Sequence, residues 1–184
     1  LQLSHEIIHD LREIKNEKVC AQVNELVNLA HSEGINEVLL WDHSLYNIDY
    51  YPERFRTGPG GTIDLDNPEF WEWLKDDYRQ MLDRVSEADG LVLTFIETGA
   101  YAERQFSKKM KSSEEKLAAV VNAISDVLIG ERKKKLYIRT FAYSEEEYKG
   151  TTGCIEYLKY DEVILMMKET PHDCLLYTSD AADE

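Results

Sequence analysis

The chain has 184 residues, of which 21 are basic and 36 acidic, so its formal net charge at neutral pH is −15. A chain of this length can bury a sizeable core, and its hydrophobic content of 43% argues against disorder. The acidic balance disfavours nucleic-acid phosphates as partners. No apolar run approaches the ~20 residues that span a bilayer. We therefore expect a globular protein that binds neither nucleic acid nor membrane.

The three cysteines, Cys20, Cys154 and Cys174, have no metal-type spacing and do not suggest a disulfide framework. This pattern fits a bacterial-type cytoplasm, or a periplasm in which the protein does not rely on disulfides. The chain starts at Leu1 without an initiator Met, so we expect that the native start is missing. Residues 175–184 resemble the translated adapter read-through that often ends sequences from environmental DNA. We predict that they are a non-native tail.

Helical and strand patterns alternate along the rest of the chain. Ser112 with Glu115, and Ser144 with Glu147, have the spacing of helix capping boxes. Periodicity predicts helices over residues 4–18, 19–34, 68–85, 112–130 and from 144 onward. Short apolar runs predict buried strands at residues 37–42, 91–96, 135–143 and 162–167. An aromatic-rich loop at residues 43–67 separates the first strand from the third helix, which opens at Asn67-Pro68.

This alternation predicts an α/β fold with a parallel sheet and right-handed crossovers. An open, doubly wound nucleotide-binding sheet should have a glycine-rich turn after its first strand, and this sequence has none there. Four βα units are about half of a barrel of ~250 residues. We therefore predict a truncated (β/α)8 TIM barrel over residues 1–174. Half a barrel leaves two sheet edges unpaired. We therefore expect the chain as given to aggregate, and to be inactive without the remainder of its barrel.

Two carboxylates follow predicted strands, where a barrel places its chemistry. Glu97 comes directly after the second predicted strand, and Asp173 lies in the loop after the fourth. Glycoside hydrolysis requires such a pair, because one carboxyl protonates the leaving oxygen while the other activates water or attacks carbon. Taken singly, Glu97 is equally well explained as a loop carboxylate that caps the following turn, and Asp173 is better explained as a turn residue after Pro171.

Two cations also lie at predicted strand ends. Arg139 is in the third apolar strand and Lys168 follows the fourth. A cation in such a place needs an anionic partner, which is either a structural carboxylate or the carboxylate of a substrate. Trp41, His43, Tyr143 and His172 are further substrate-binding candidates, since aromatic rings stack on sugars and histidines bind hydroxyls. The histidines lack metal-ligand spacing, so we predict no metal site and no cofactor.

Four blocks of sequence follow one another along the chain. They are residues 34–38; residues 64–69 with Trp71; residues 89–92 leading to 97–99; and residues 139–143 followed by 168–173. In these blocks the chain resembles the α-glucuronidases of glycoside hydrolase family 67, or an uncharacterised group related to them. The resemblance implies that Glu97 is the general acid. It implies that Asp173 is one of two carboxylates that act on the attacking water, with inversion at the anomeric carbon. It further implies that Arg139 and Lys168 hold the uronate carboxylate.

Three functions remain open. The first is an inverting glycosidase that acts on an α-linked uronic acid, or a similar acidic sugar, in fragments of plant-type polysaccharides. The second is a barrel enzyme of another class that binds a carboxylate or phosphate through Arg139 and Lys168; a metal among the candidate residues would favour it. The third is a non-catalytic carbohydrate-binding relative, which an acid position closed off by its own loop would favour.

Overall fold

The computed structural model describes residues 1–167, in which five β-strands alternate with four α-helices. The predicted α/β class is thereby confirmed. The strands are β1 (Gln2–Leu3), β2 (Leu39–His43), β3 (Gly90–Thr94), β4 (Lys135–Arg139) and β5 (Ile164–Met166). The helices are α1 (Glu17–Ser32), α2 (Pro68–Arg84), α3 (Ser113–Ser125) and α4 (Glu145–Gly153). The candidate residues Lys168, His172 and Asp173, and the predicted tail 175–184, lie outside the described residues.

The five described strands form one parallel sheet in the order β1-β2-β3-β4-β5. Each strand pairs with the strand that follows it in the chain, and the order does not reverse within residues 1–167. The register sets His43 of β2 opposite Thr94 of β3, and Leu93 of β3 opposite Ile138 of β4. The carboxyl ends of β2, β3 and β4 therefore meet at one edge of the sheet.

The sheet is strongly curved. Nε2 of Gln2 on β1 lies 4.0 Å from Sδ of Met166 on β5, although three strands separate them. In a flat sheet, four strand spacings of ~4.8 Å would place these strands roughly 19 Å apart. Strand register and alternation place both side chains on the face that carries Trp41 and Arg139, so this face is concave.

The opposite, convex face carries the hydrophobic core. Alternate strand side chains point to this face and pack against the helices, which accounts for their near-complete burial. Each fully buried aliphatic side chain contributes ~1.5–3 kcal/mol through the hydrophobic effect. The strand side chains in this core include Leu40, Leu91, Leu93, Leu136 and Ile138, and the helices supply Val23, Val27, Leu74, Met81, Val120 and Ile124.

Gly90 allows β3 to lie close to β4 on the concave face. A Cβ atom at Gly90 would lie 2.2 Å from the carbonyl oxygen of Lys135. Across this gap, Glu37 pairs with Lys135 and accepts a hydrogen bond from the Tyr137 hydroxyl at 2.8 Å. The hydrogen bond from Lys135 is the main cause that lowers the pKa of the Glu37 carboxyl. The absent side chain thus lets the segment before β2 contact β4 directly.

The start of α3 is the capping box that the sequence predicts. The Ser112 hydroxyl accepts from the Glu115 backbone N–H at 3.2 Å, and the Glu115 carboxylate accepts from the Ser112 N–H at 3.0 Å. α2 starts as predicted too, since the Asn67 side chain accepts from the Glu69 N–H at 3.0 Å. These caps satisfy backbone donors that a helix leaves unpaired in its first turn.

Replacing Ser112 by Ala is expected to lower the free energy of unfolding by ~1 kcal/mol, because one backbone donor of α3 loses its acceptor. The measurement is a urea titration followed by circular dichroism. Ser113→Ala lies one residue further on and leaves the cap intact, so it should change that free energy by less than ~0.5 kcal/mol. Equal losses in the two variants would contradict the role of the cap.

The amino-terminal region differs from the sequence prediction. The single helix expected over residues 4–18 is instead a 3-10 turn at His5–Ile7 followed by a π-helical turn at His9–Glu13. Lys15 then adopts φ 56°, a left-handed conformation that interrupts helical geometry before α1. The two-residue strand β1 was not predicted, because two residues cannot display a periodic pattern.

The aromatic loop at residues 43–67 packs on its own side chains. Tyr51 is fully buried, and its ring lies 5.6 Å from that of Trp73 and 5.8 Å from that of Phe70. The Tyr50 ring lies 5.6 Å from Trp73, and Phe55 is buried beside the same rings. Edge-to-face contacts of this kind stabilise a loop that has little regular backbone structure. Tyr50 and Tyr51 therefore serve to pack the loop against α2.

Candidate functional site

Five sequence-predicted site residues lie together at the carboxyl edge of the sheet. Trp41 and His43 are in β2, and Arg139 is the last residue of β4. Glu97 follows β3 by three residues, and Tyr143 follows β4 by four. Parallel strands bring these positions to one edge because their carboxyl ends point the same way.

Glu97 and Tyr143 are joined directly. The Tyr143 hydroxyl donates a hydrogen bond of 2.5 Å to Oε1 of Glu97. Both side chains are exposed, so the pair is open to solvent and to a ligand. This contact links the loop after β3 to the loop after β4.

The backbone of Glu97 is strained. Its φ is 59°, in the left-handed region that residues other than Gly, Asn and Asp rarely adopt. Such a conformation costs about 1 kcal/mol or more, and it clusters at sites where a side chain must point in an otherwise inaccessible direction. Among residues 1–167, the other non-glycine residues with positive φ are Lys15 and Lys133. Glu97 is the one of the three at the carboxyl edge of the sheet.

Arg139 lies between two aromatic rings. Its guanidinium carbon is 4.9 Å from the ring centre of Trp41 and 5.1 Å from that of Phe141. Burial lowers the pKa of Arg139, while the negative charge of Glu97 acts in the opposite direction. A planar cation held between rings is pre-oriented to bind a carboxylate or phosphate through two parallel hydrogen bonds.

His43 is nearly buried, with 7% of its surface exposed. Its Nδ1 atom lies 3.2 Å from the carbonyl oxygen of Ile96, the residue directly before Glu97. Thr98, directly after Glu97, donates from its hydroxyl to the Leu45 carbonyl oxygen at 2.5 Å. The segment that carries Glu97 is therefore fixed on one side by the last residue of β2 and on the other by the loop that follows β2.

The start of α4 holds Tyr143. The Ser144 hydroxyl accepts from the Glu147 N–H at 3.2 Å, which is the helix cap predicted from the sequence. The Glu147 carboxylate accepts a hydrogen bond of 2.9 Å from the Tyr143 N–H, and this bond takes the place of the expected one to the Ser144 N–H. Tyr143 is thereby tied to the first turn of the helix.

A buried ionic cluster behind the site was not predicted. Arg12 is 2% exposed, and its guanidinium donates to Oδ2 of Asp42 at 2.8 Å and to Oδ2 of Asp77 at 2.8 and 3.0 Å. The Tyr78 hydroxyl donates to Oδ2 of Asp42 at 2.8 Å, and the Tyr50 hydroxyl donates to Oδ1 of Asp77 at 2.5 Å. The cluster joins the amino-terminal turn, β2, α2 and the aromatic loop.

The charges of this cluster are mutually stabilised. Burial alone would lower the pKa of Arg12, but Asp42, Tyr78 and Asp77 outweigh it, so the pKa of Arg12 is raised. Burial raises the pKa of Tyr78, which keeps its hydroxyl protonated as a donor. Oδ1 of Asp42 accepts from the backbone N–H of His43 at 2.7 Å, so the cluster extends to the edge of the candidate site.

Thr94 is a further buried polar residue that was not predicted from the sequence. It is the last residue of β3, and alternation places it on the concave face opposite His43. Its hydroxyl is buried and has no hydrogen-bond partner among residues 1–167. A polar residue at the end of an apolar strand is the signal that could have identified it.

A cavity of about 400 Å³ lies beside the site, between the first turns of α3 and α4. Ile96, Glu103, Arg104, Ser113, Glu146 and Glu147 are among its lining residues. Burial raises the pKa of the Glu103 carboxyl. Glu97 does not line this cavity, so the cavity and the Glu97 site are separate features of the same sheet edge.

Within the part of the chain that the structure describes, no three or more His, Cys, Asp and Glu side chains are grouped to hold a metal ion. No helix in residues 1–167 is both long and apolar enough to cross a membrane. No protein-family model matches the sequence, and a search of curated proteins finds no match. The function of the site is therefore inferred from the geometry of its own residues.

Proposed function

We propose that the protein is a glycoside hydrolase of the (β/α)8-barrel class that cleaves an acidic sugar from an oligosaccharide, with Glu97 as general acid. The observation that carries this proposal is the Glu97 carboxyl group, exposed at the strand ends and electrostatically coupled to Arg139. An acid beside a cation suits a substrate that has both a glycosidic bond and a carboxylate.

The sheet supports the barrel class. Its described strands follow one another in chain order, and contact between Gln2 and Met166 curves the sheet around the face that carries Trp41 and Arg139. The core fills the opposite face, where the helices pack. A (β/α)8 barrel has this arrangement, and it places its active site at the carboxyl ends of the strands.

The side chains around Glu97 support a sugar as the substrate. Trp41 presents a partly exposed aromatic ring beside Arg139, and apolar sugar faces pack on such rings. Arg139 supplies two parallel N–H donors for a carboxylate.

In the proposed reaction, the carboxyl proton of Glu97 moves to the glycosidic oxygen. The bond from that oxygen to the anomeric carbon breaks, and its electron pair stays on the oxygen of the leaving sugar. Water attacks the anomeric carbon from the opposite face, and its proton passes to a carboxylate base, for which Asp173 is the candidate. Attack from that face inverts the anomeric configuration.

The test is hydrolysis of aldouronic oligosaccharides by the protein expressed from its complete gene, followed by proton NMR of the released sugar. We expect inverted uronic acid, and we expect Glu97→Gln to lower kcat by ~10³-fold, because the amide cannot donate the acid proton. Glu146→Gln is the matched control, since it removes the same charge from an exposed residue of α4 and should retain full activity.

Two results would overturn the proposal. Absence of hydrolysis by the folded protein would reject the uronidase function, and full activity of Glu97→Gln would reject Glu97 as the acid. Binding of a uronate without hydrolysis would identify a carbohydrate-binding protein. Binding of inorganic phosphate in preference to a uronate, lost in Arg139→Met, would favour an enzyme of another class.

A further inference from the structure

Tyr143 is hydrogen-bonded to one of the two oxygens of the Glu97 carboxyl group. Its hydroxyl donates to Oε1 at 2.5 Å. This hydrogen bond is the main cause that raises the pKa of Tyr143, so the hydroxyl keeps its proton and acts as a donor. Because Oε1 accepts the phenolic hydrogen, a proton that leaves the carboxyl group for a substrate must be carried by Oε2.

The Tyr143 hydroxyl is held in place although 55% of the residue is exposed. Its backbone N–H donates to the Glu147 carboxylate at 2.9 Å. Its ring packs edge-to-face on Phe141, with ring centres 5.2 Å apart. Two independent contacts therefore fix the direction from which Tyr143 approaches Glu97.

Glu97 has few other restraints on its carboxyl group within residues 1–167. The left-handed backbone of Glu97 sets the direction of its Cα–Cβ bond. The hydrogen bond from Tyr143 then sets the orientation of the carboxyl plane. Arg139 contributes charge but is held by its two neighbouring rings. Among residues 1–167, the Tyr143 hydroxyl is therefore the donor that orients the Glu97 carboxyl group.

We propose that Tyr143 is a positioning residue that holds Oε1 of Glu97 and directs Oε2 to the glycosidic oxygen. This inference rests on the proposed function. In the step, the Oε2 proton moves to the glycosidic oxygen, and the electron pair of the breaking carbon–oxygen bond stays on that oxygen. Tyr143 keeps its own proton and donates to the Glu97 carboxylate that the step creates, and such a hydrogen bond is stronger to a charged acceptor.

The first experiment needs no substrate. Carbon-13 NMR of the glutamate carboxyl groups at neutral pH reports the hydrogen bonding of Glu97, whose signal is assigned by its loss in Glu97→Gln. The chemical shift of a carboxyl carbon depends on the hydrogen bonds that its oxygens accept, so Tyr143→Phe should move the Glu97 signal by more than its line width. Tyr148→Phe removes the hydroxyl of an exposed tyrosine on α4 and should leave the Glu97 signal unchanged.

An unchanged Glu97 carboxyl signal in Tyr143→Phe would overturn the proposal, whether or not the protein hydrolyses sugars. Far-UV circular dichroism should match the wild type in both variants, because each keeps its ring and loses only a surface hydroxyl. If Tyr143→Phe did not fold, Glu147→Ala provides the second variant. It releases the Tyr143 backbone while the hydroxyl remains, and it should move the Glu97 carboxyl signal in the same direction by a smaller amount.

The second experiment measures the reaction. Tyr143→Phe should lower kcat by ~10- to 100-fold and leave KM within about twofold, because a misdirected acid weakens the transition state more than substrate binding. Tyr148→Phe should keep the wild-type kcat and KM. An increase in KM alone would show that Tyr143 only binds substrate. Inactive wild-type protein would reject the proposed function, and the NMR result would still decide whether Tyr143 orients Glu97.

Discussion

Replacing Arg12 by Met is expected to lower the free energy of unfolding by ~3–5 kcal/mol, one of the two largest effects on stability that the structure predicts. The substitution leaves Asp42 and Asp77 buried without their cation, since these carboxylates are 0% and 5% exposed. An uncompensated buried charge costs far more than a lost surface ion pair. The measurement is a urea unfolding curve at neutral pH.

Arg54→Met is the control for this prediction, because Arg54 is exposed and the same side-chain change should cost less than ~0.5 kcal/mol there. The triple variant Arg12→Met, Asp42→Asn and Asp77→Asn removes all three charges together. It should recover a substantial part of the stability that Arg12→Met alone loses, since no buried charge remains. Similar losses for Arg12→Met and Arg54→Met would show that the buried cluster contributes little.

Replacing Gly90 by Ala is expected to lower the free energy of unfolding by ~3 kcal/mol, at the upper end of the effects of overpacking. The new Cβ atom would lie 2.2 Å from the Lys135 carbonyl oxygen, which is a backbone atom and cannot rotate away. β3 and β4 would have to separate where Glu37 contacts Tyr137. Thermal unfolding followed by circular dichroism measures the loss.

Gly150→Ala provides the matched comparison. A Cβ atom at Gly150 of α4 would meet its nearest neighbours, Leu117 and Ser113, at 3.5 Å, which is ordinary van der Waals contact. Alanine also favours a helix over glycine by ~1 kcal/mol, so this variant should be as stable as the wild type or more stable. If both glycine variants lost stability equally, the close approach of β3 to β4 would not be the cause.

The sequence predicts the elements whose signals are local. The start of α2 follows from Asn67 and Pro68, and the start of α3 from Ser112 and Glu115, because a helix cap involves residues no more than four apart. β4 and β5 lie within their predicted apolar runs, and β2 and β3 overlap theirs with one residue outside each. Each strand is shorter than its predicted run, because pairing with a neighbouring strand decides where it begins and ends.

Features that depend on distant residues were not predicted. Arg12 pairs with Asp42 and Asp77, which are 30 and 65 residues away in the chain, and no local pattern indicates that these three side chains meet. The interruption of the first predicted helix at Lys15 depends on how the amino-terminal turns pack on β2 and α2. The curvature of the sheet likewise appears only when contacts between β1 and β5 are known.

The same division holds for the candidate site. Strand ends predict that Glu97, Arg139 and Tyr143 lie at one edge, and the structure places them there. The hydrogen bond between Glu97 and Tyr143 could not be predicted, because it depends on a left-handed backbone at Glu97 and on the orientation of two loops. Lys168, His172 and Asp173 lie outside the described residues, so their roles stay predictions.

The order of the strands has a consequence for how the chain folds as it is synthesised. β3 pairs with β2, and β4 pairs with β3, so each new strand finds its partner edge already formed by residues made earlier. Leu39 pairs with Gly90, and Gly90 pairs with Lys135, so each pairing closes over one helix and its loops, and the amino-terminal part of a chain folds first during synthesis. One βα unit can therefore be added at a time as it leaves the ribosome, without waiting for the end of the chain.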